Sequence, residues 1–316
     1  ILRLGARHGL TTITCCNPGI GGGGGMIGES KREILEAMNG SPHVLPAEFI
    51  AAGPGPEERA RHAAAAVKQR HELGGYPVIL KPDAGQRGFA VKVARSESDL
   101  QAYFKEVTTP VLVQRLHPGP HECGVLWMRK RAGEAADARG GDPANAAGYL
   151  YSITRKEFPV LVGDGTRTME ELIWRHPRFR NQSAVFLERF ADERDRVPGA
   201  GERVRLAQSG NHCQGTLFRD GEDLITPELE REIDEIARGF RGGLDMARFD
   251  VRYESEDALR QGTGFGIVEL NGTAGESTNI YDPGRSIAWC YRVLWRQCTL
   301  AYELGQQDRL DQVGGE

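Results

Sequence analysis

The chain has no CxxC pair. Its six cysteines stand at 15, 16, 123, 213, 290 and 298, which excludes the common zinc spacings and makes a reduced, cytoplasmic protein the expectation. Charge of one sign is not in excess either: 40 Lys and Arg against 44 Asp and Glu leave a net charge of −4, so there is no polycationic footprint for nucleic acid. No uncharged apolar stretch reaches the roughly 18 residues of a membrane span, and no internal repeat is present. Because the chain begins at Ile1 rather than Met, an anchor or targeting signal upstream would escape this reading. What remains is 316 residues, enough for about two domains with sizeable cores. Glycine (41) and proline (16) are plentiful, yet together stay below the roughly 25–30% of low-complexity chains.

Along the chain, the periodicity predicts a short strand over Thr11–Cys16, an Asn17-Pro18-Gly19 turn and a loose loop over Gly21–Gly25. Ser30-Lys31-Arg32-Glu33 is a capping box opening a helix with Ile34, Leu35 and Met38 inward, stopped by Asn39-Gly40. A helix from Pro56 to about Leu73 follows, then strand Tyr76–Lys81, glycine loop Asp83–Gly88, strand Phe89–Ala94, a helix near Ser96 and strand Val111–Leu116. This is an α+β pattern. Residues 131–147 read as an exposed insertion loop and Gly148–Leu161 as a strand. Thr168–Glu171 caps a helix through His176, Asp192–Gly201 is a loop, and Thr226-Pro227 opens a helix facing inward through Leu229, Ile233, Ile236 and Phe240. Strands Met246–Tyr253 and Phe265–Leu270 precede a last helix, Ile287–Leu304. Its Ile287, Trp289, Leu294 and Trp295 are expected in the core, with Arg285, Arg292 and Arg296 at the edge and Cys290 and Cys298 as core thiols.

Three segments can carry chemistry. Arg248-Phe249-Asp250 and Glu269-Leu270-Asn271 place Arg248 with Asp250, and Glu269 with Asn271, on single strand faces. If the strands are adjacent and antiparallel, two carboxylates, an amide and a guanidinium converge, a set that suits magnesium and phosphate. A buried ion-pair network of Arg248 with the two acids is the alternative. Tyr76–Gly88 delivers Lys81 at a strand end where a glycine loop begins, which is either an ordinary strand exit or a phosphate cradle. Lys31 opposes the dipole of its helix, an arrangement that a bound anion would relieve; a solvated surface lysine is the plain reading. Gly19, Gly21 and Gly24 formally satisfy GxGxxG, but no helix opens until Ser30, so the match is discounted.

The order of these blocks resembles the ATP-grasp superfamily over about residues 29–283. Ser30-Lys31 with Leu45-Pro46 is similar to the family's first nucleotide lysine and the start of its central domain. Tyr76–Gly88 is similar to its second lysine and phosphate loop, and Val111–Leu116 with Gly119–Glu122 to its adenine hinge and ribose glutamate. Where the family often has an acidic hinge residue, this chain has Gln114 or Arg115. Arg248, Asp250, Glu269 and Asn271 match the phosphate arginine and magnesium ligands of D-alanine–D-alanine ligases. Phe158–Ile173, with its Gly163-Asp164-Gly165, and Ser209–Thr216 are similar to stretches of cyanophycin synthetases.

The resemblance implies an ATP-grasp fold with a truncated front segment (1–28), a central subdomain (29–116) and a C-terminal subdomain with the metal site (117–316). It implies a magnesium- and ATP-dependent carboxylate–amine ligase, with manganese as the alternative ion and small-molecule or peptide carboxylates and amines as substrates. Lys31, Lys81, Gly85, Gly88, Gln114, Arg115, Leu116, Glu122 and Lys156 would bind nucleotide. Arg248 and Arg87 would stabilise the transferring phosphoryl group, and Asp250, Glu269 and Asn271 would hold metal. A kinase-like phosphotransferase and a non-catalytic ATP-binding module are the alternatives; neither nucleic acid nor a membrane is an expected partner.

Overall fold

A computed structural model describes residues 2–38, 40–85, 88–131, 147–207 and 210–314. Asn39, Gln86, Arg87, Ser209 and most of the expected 131–147 insertion therefore lie outside the described residues. The architecture is mixed α+β with antiparallel sheets, as the sequence predicts. Strands β1 (Ala47–Ile50), β2 (Val78–Pro82), β3 (Lys92–Ala94) and β4 (Val111–Arg115) form a four-stranded sheet in the order β1-β4-β2-β3. Strands β5 (His121–Arg129), β6 (Gly148–Glu157), β7 (Val160–Val162), β8 (Arg203–Arg205), β9 (Leu217–Asp220), β10 (Met246–Tyr253) and β11 (Phe265–Asn271) complete the set. Of these, β11-β10-β5-β6-β9 make a five-stranded sheet, and β7-β8 a separate pair.

Helices cover one face of the smaller sheet; on the larger sheet they cover one face and, around Leu126, Met128 and Met246, part of the other. In the smaller sheet Val78, Leu80, Val111 and Val113 pack with Ala60, Ala63, Ala64 and Val67 of helix Pro56–Gln69 and with Leu100, Tyr103 and Phe104 of helix Glu97–Glu106. Period-2 alternation then turns Ile79, Lys81, Leu112 and Gln114 to the other side. In the larger sheet Cys123, Val125, Trp127, Phe249, Val251 and Ile267 share a core with Leu229, Ile233 and Ile236 of helix Pro227–Arg238. Helix Lys31–Ala37 contributes Ile34, Leu35 and Ala37 to that second core, although its sequence position groups it with the smaller sheet.

Helix caps follow the sequence closely, because a cap is a local bond. Ser30, Ser96, Thr168 and Thr226 each accept a backbone N–H three residues on, and Thr168 with Glu171 closes a full capping box. Non-local features differ from expectation. Thr11–Cys16 is not a strand: helix Leu2–His8 precedes it and Thr12–Cys15 is a 3₁₀ turn. That turn lies against the last helix at Gly305, where an added Cβ would come within 2.3 Å of the Thr12 carbonyl. Strand β5 is absent from the sequence reading because its buried run hides the alternation: Cys123, Val125 and Trp127 enter one core, Leu126 and Met128 another. The last helix extends from Ile287 to Gly314. It packs through Leu300, Ala301 and Leu304, whereas Ile287, Tyr291 and Trp295 are exposed and Cys290 and Cys298 only half-buried. The expected core face is thus corrected: the anchoring apolar residues lie toward the C-terminal end, from Leu300 onward. Among the described residues no helix is long and apolar enough to cross a membrane.

Candidate active site

The uncovered faces of the two sheets enclose a cavity of about 700 Å³. Its lining includes Lys31, Lys81, Gly85, Gly88, Gln114, Arg115, Leu116, Glu122, Lys156, Arg248, Asp250, Glu269 and Asn271. Every described residue singled out for nucleotide, metal or phosphate thus borders one space; Arg87 lies outside the described residues.

Register assembles the floor. Strands β10 and β11 are antiparallel, with Asp250 opposite Glu269 and Arg248 opposite Asn271. One step later the register slips: Val251 pairs with Ile267, so Val268 is bulged out. The Lys81 ammonium donates to the Val268 carbonyl at 2.7 Å, tying the small sheet to β11 of the large one. Strand β5 lies on the far side of β10 and presents Gly124 to Asp250; an added Cβ there would meet the Arg248 Cδ at 3.1 Å. That glycine leaves room for the two charged side chains to lie flat.

Charge is balanced in pairs. Lys156 is buried, 2.8 Å from Glu122 Oε1 and 3.1 Å from Asp250 Oδ1. Arg248 Nε reaches the same Oδ1 at 3.3 Å, and its Nη1 donates to the Glu276 carbonyl at 3.0 Å. Burial works against the Asp250 charge, yet Lys156 and Arg248 outweigh it and hold the carboxyl below its usual range. For Lys156 burial likewise opposes the charge, and Asp250 and Glu122 push its pKa up. Lys81 has no such close partner: burial wins over the more distant Glu269 and pulls it down to about 8. The loop at Gly210 lies directly on the Glu122–Lys156 pair, where a Cβ would sit 2.3 Å from Glu122 Oε1.

Lys31 stands at the rim, 3.4 Å from Glu269 and donating to the Gly85 carbonyl at 2.8 Å. The anion its helix calls for is already present. Asp83 accepts from the Arg32 backbone N–H at 2.8 Å and from the Ser30 hydroxyl at 2.9 Å.

Magnesium is the metal implied by the resemblance. Among the described residues no three His, Cys, Asp or Glu side chains are grouped to hold a metal ion, so the donor set is two carboxylates and an amide. Oxygen donors of this kind suit a hard divalent ion. One observation fits it: both cations on Asp250 approach Oδ1, so its second oxygen stands outside those two ion pairs. The Asn271 amide nitrogen is buried with no hydrogen-bond partner among the described residues; as an N–H donor it calls for an acceptor such as a phosphate oxygen.

The sequence reading missed several neighbours. Arg252 continues the Arg248–Asp250 strand face and lines the cavity; among the described residues its side chain makes no hydrogen bond or ion pair, and its Nε is buried and unmatched. Its period-2 position is a signal that could have found it. Glu29 also borders the cavity, with burial pushing its carboxyl up. Tyr281, which was missed, stacks at 5.4 Å along another wall on His212, a residue of the Ser209–Thr216 block that the sequence did single out. Asn17, read only as a turn residue, is fully buried. Its Oδ1 accepts from the backbone N–H groups of Asp245 and Met246, and its Nδ2 donates to the Met246 carbonyl and to Thr273 Oγ1. The glycine run joins this brace: the Gly24 carbonyl accepts from Thr273, and an added Cβ would fall 1.8 Å from the Cys16 carbonyl. It supports the loop after Asn271. The Gly163-Asp164-Gly165 block, by contrast, lies outside the cavity lining; Asp164 binds the backbone of Thr166 and Arg167.

No family model matches the chain. A cyanophycin synthetase from Synechocystis sp. is 27% identical over 228 residues, covering 65% of this chain and 24% of that protein. A second cyanophycin synthetase, from Geminocystis herdmanii, is 26% identical over 202 residues, covering 57% and 21%. The chain thus spans about a quarter of the length of these relatives. Among solved structures, a D-alanine–D-alanine ligase from Bacillus anthracis aligns over 90% of this chain and 68% of its own, at 10% identity and a TM-score of 0.45. A bifunctional glutathione synthetase from Pasteurella multocida aligns over 84% and 35%, at 15% identity and a TM-score of 0.39.

Proposed function

We propose that this chain, a relative of the ATP-grasp ligases, uses ATP and magnesium to join a carboxylate to an amine. One observation carries the reading: the β10–β11 register faces Asp250 with Glu269 and Arg248 with Asn271 in a cavity that also holds Lys31, Lys81 and Lys156. Three lysines and an arginine around two carboxylates match a polyphosphate and its ion, since phosphoryl transfer asks the protein mainly for positioning and charge neutralisation.

In this reading Lys31 and Lys81 bind nucleotide phosphates, and Lys156 a phosphate or carboxylate oxygen. Gly85 and Gly88 let the backbone approach. Gln114, Arg115 and Leu116 lie along the base and Glu122 at the ribose. Asp250, Glu269 and Asn271 would hold magnesium, which would neutralise phosphate charge. Arg248 faces the charge developing on the transferring group. The substrate carboxylate oxygen forms a bond to the γ-phosphorus as the bond to ADP breaks. The amine nitrogen then bonds to the acyl carbon, orthophosphate leaves, and the amine proton passes to solvent.

The test is product analysis with pools of carboxylates and amines. ADP and orthophosphate appearing only when both are present supports ligation. ADP with a stable phosphorylated product assigns a kinase-like reaction, and tight ATP binding without ADP formation a binding module.

A further inference from the structure

One guanidinium serves two carboxylates where the last helix meets the head of β10. Arg129, at the end of β5, donates from Nε to Asp245 Oδ1 and from Nη2 to Asp308 Oδ1, the latter at 2.7 Å. Both acids are largely out of water, with side chains 3% and 13% exposed. Asp245 is fully engaged, since its Oδ2 accepts from the Asn17 backbone N–H at 2.6 Å. Asp308 is not: its Oδ2 is buried and has no hydrogen-bond partner among the described residues. Its surroundings supply no second cation to pair with it. Burial pushes the Cys16 thiol up, so it stays neutral, and Asp311 on the same helix adds another acid. His8 of the first helix is turned to Gln306, and Arg309 is exposed. Two buried negative charges on one positive charge leave an excess that the interior does not tolerate.

We propose that Asp308 is kept as the neutral acid with its O–H turned to the Asp245 carboxylate, and that this shared proton seats the far half of the last helix, which loosens as rising pH removes it. The proton leaves one carboxylate to one guanidinium and gives the orphaned oxygen a bond. Burial, then the Asp245 carboxylate within hydrogen-bonding range, push the Asp308 carboxyl up to about 8, against the pull of Arg129. The seat is a junction of several elements. Leu300, Ala301 and Leu304 of the helix share a core with Leu126, Met128 and Met246, and Asp245 is the residue whose backbone N–H Asn17 accepts. The proton therefore fastens the helix to the brace beneath the loop after Asn271. None of this depends on the nucleotide reading. An acid with a raised folded pKa adds stability that is complete below its unfolded value, 3.8, and is lost as pH climbs to about 8.

The test follows stability against pH in the wild type and in Asp308→Asn, which has the same shape and no proton to lose, by urea unfolding of the full chain from pH 5 to 9. Relative to the variant, the wild type's folding equilibrium constant should fall about tenfold per pH unit between pH 5 and 7, the slope of one proton. Hydrogen exchange, corrected for its intrinsic pH dependence, should show residues 300–311 losing protection over the same range in the wild type alone. A stability gap that is constant with pH, or protection that changes equally in both proteins, overturns the proposal. If the Asn variant does not fold, carbon NMR of the wild type with labelled aspartate decides. One aspartate carboxyl should remain protonated at about pH 6, well above the ordinary range; finding every aspartate ionised there overturns the shared proton.

Discussion

Replacing Glu269 by glutamine keeps nearly the same shape and removes one charge from the floor of the cavity. The structural cost follows from its surroundings. Among the described residues its one close ion pair is with Lys31 at 3.4 Å, and its side chain is 32% exposed. Pairs with that much solvent contribute about 0.2–1 kcal/mol, which in a chain of this size corresponds to roughly 2 °C or less in melting temperature. Asp250 differs: it is buried against Lys156 and Arg248, and breaking such an arrangement costs about 3–5 kcal/mol, so a dead Asp250→Asn variant could simply be unfolded. Glu269 is where function separates from stability. If it holds the ion, Glu269→Gln should lower turnover about a hundredfold or more, comparable to removing one preorganised charge-stabilising group, and should shift the magnesium midpoint of ATP binding upward. Calorimetric melting and a magnesium titration of ADP formation, run on the same preparation, give both readouts. A drop of more than about 6 °C with near-normal turnover would show a structural partner of Lys31 and remove the metal assignment.

Lys81 carries a pH signature. Its pKa is pulled from 10.5 to about 8 by burial, so the unfolded chain binds the extra proton between these values and stability should rise with pH across that window. The stability gap between wild type and Lys81→Met, followed by urea unfolding from pH 7.5 to 10.5, should move in the wild type's favour. A constant gap would refute the burial argument. Over the same range wild-type ATP affinity should fall as the proton leaves. Arg252→Met removes a cation with no side-chain partner among the described residues, so melting should change by about 1 °C or less while nucleotide affinity falls roughly tenfold; a large loss of stability would reveal a structural role. Asn17→Ala leaves two buried N–H donors unmatched and should cost about 3 kcal/mol in denaturant unfolding, and an unchanged midpoint would contradict the brace.

Much of this molecule was readable before any fold was known, wherever the signal was a bond or a face within a few residues. The caps at Ser30, Ser96, Thr168 and Thr226 pair with atoms three positions away. Strand alternation alone put Arg248 with Asp250, and Glu269 with Asn271, on common faces, because side chains alternate whatever lies beside the strand. The adjacency of those two strands had to be assumed, and register could not be read at all: the Val268 bulge exists only because β10 and β11 pair as they do. Central strand β5 escaped because burial on both sides erases the polar positions that mark a strand. The last helix misled for a related reason, since apolar residues on a helix define a face but not its partner, and the face that packs begins only near Leu300. Lys156 and Glu122, Asn17 and Asp245, or Gln114 and Leu45 lie 34, 228 and 69 residues apart. Nothing local distinguishes such a pair from two surface side chains. Burial made their charges and dipoles demand each other, and burial is a property of the whole chain folded at once.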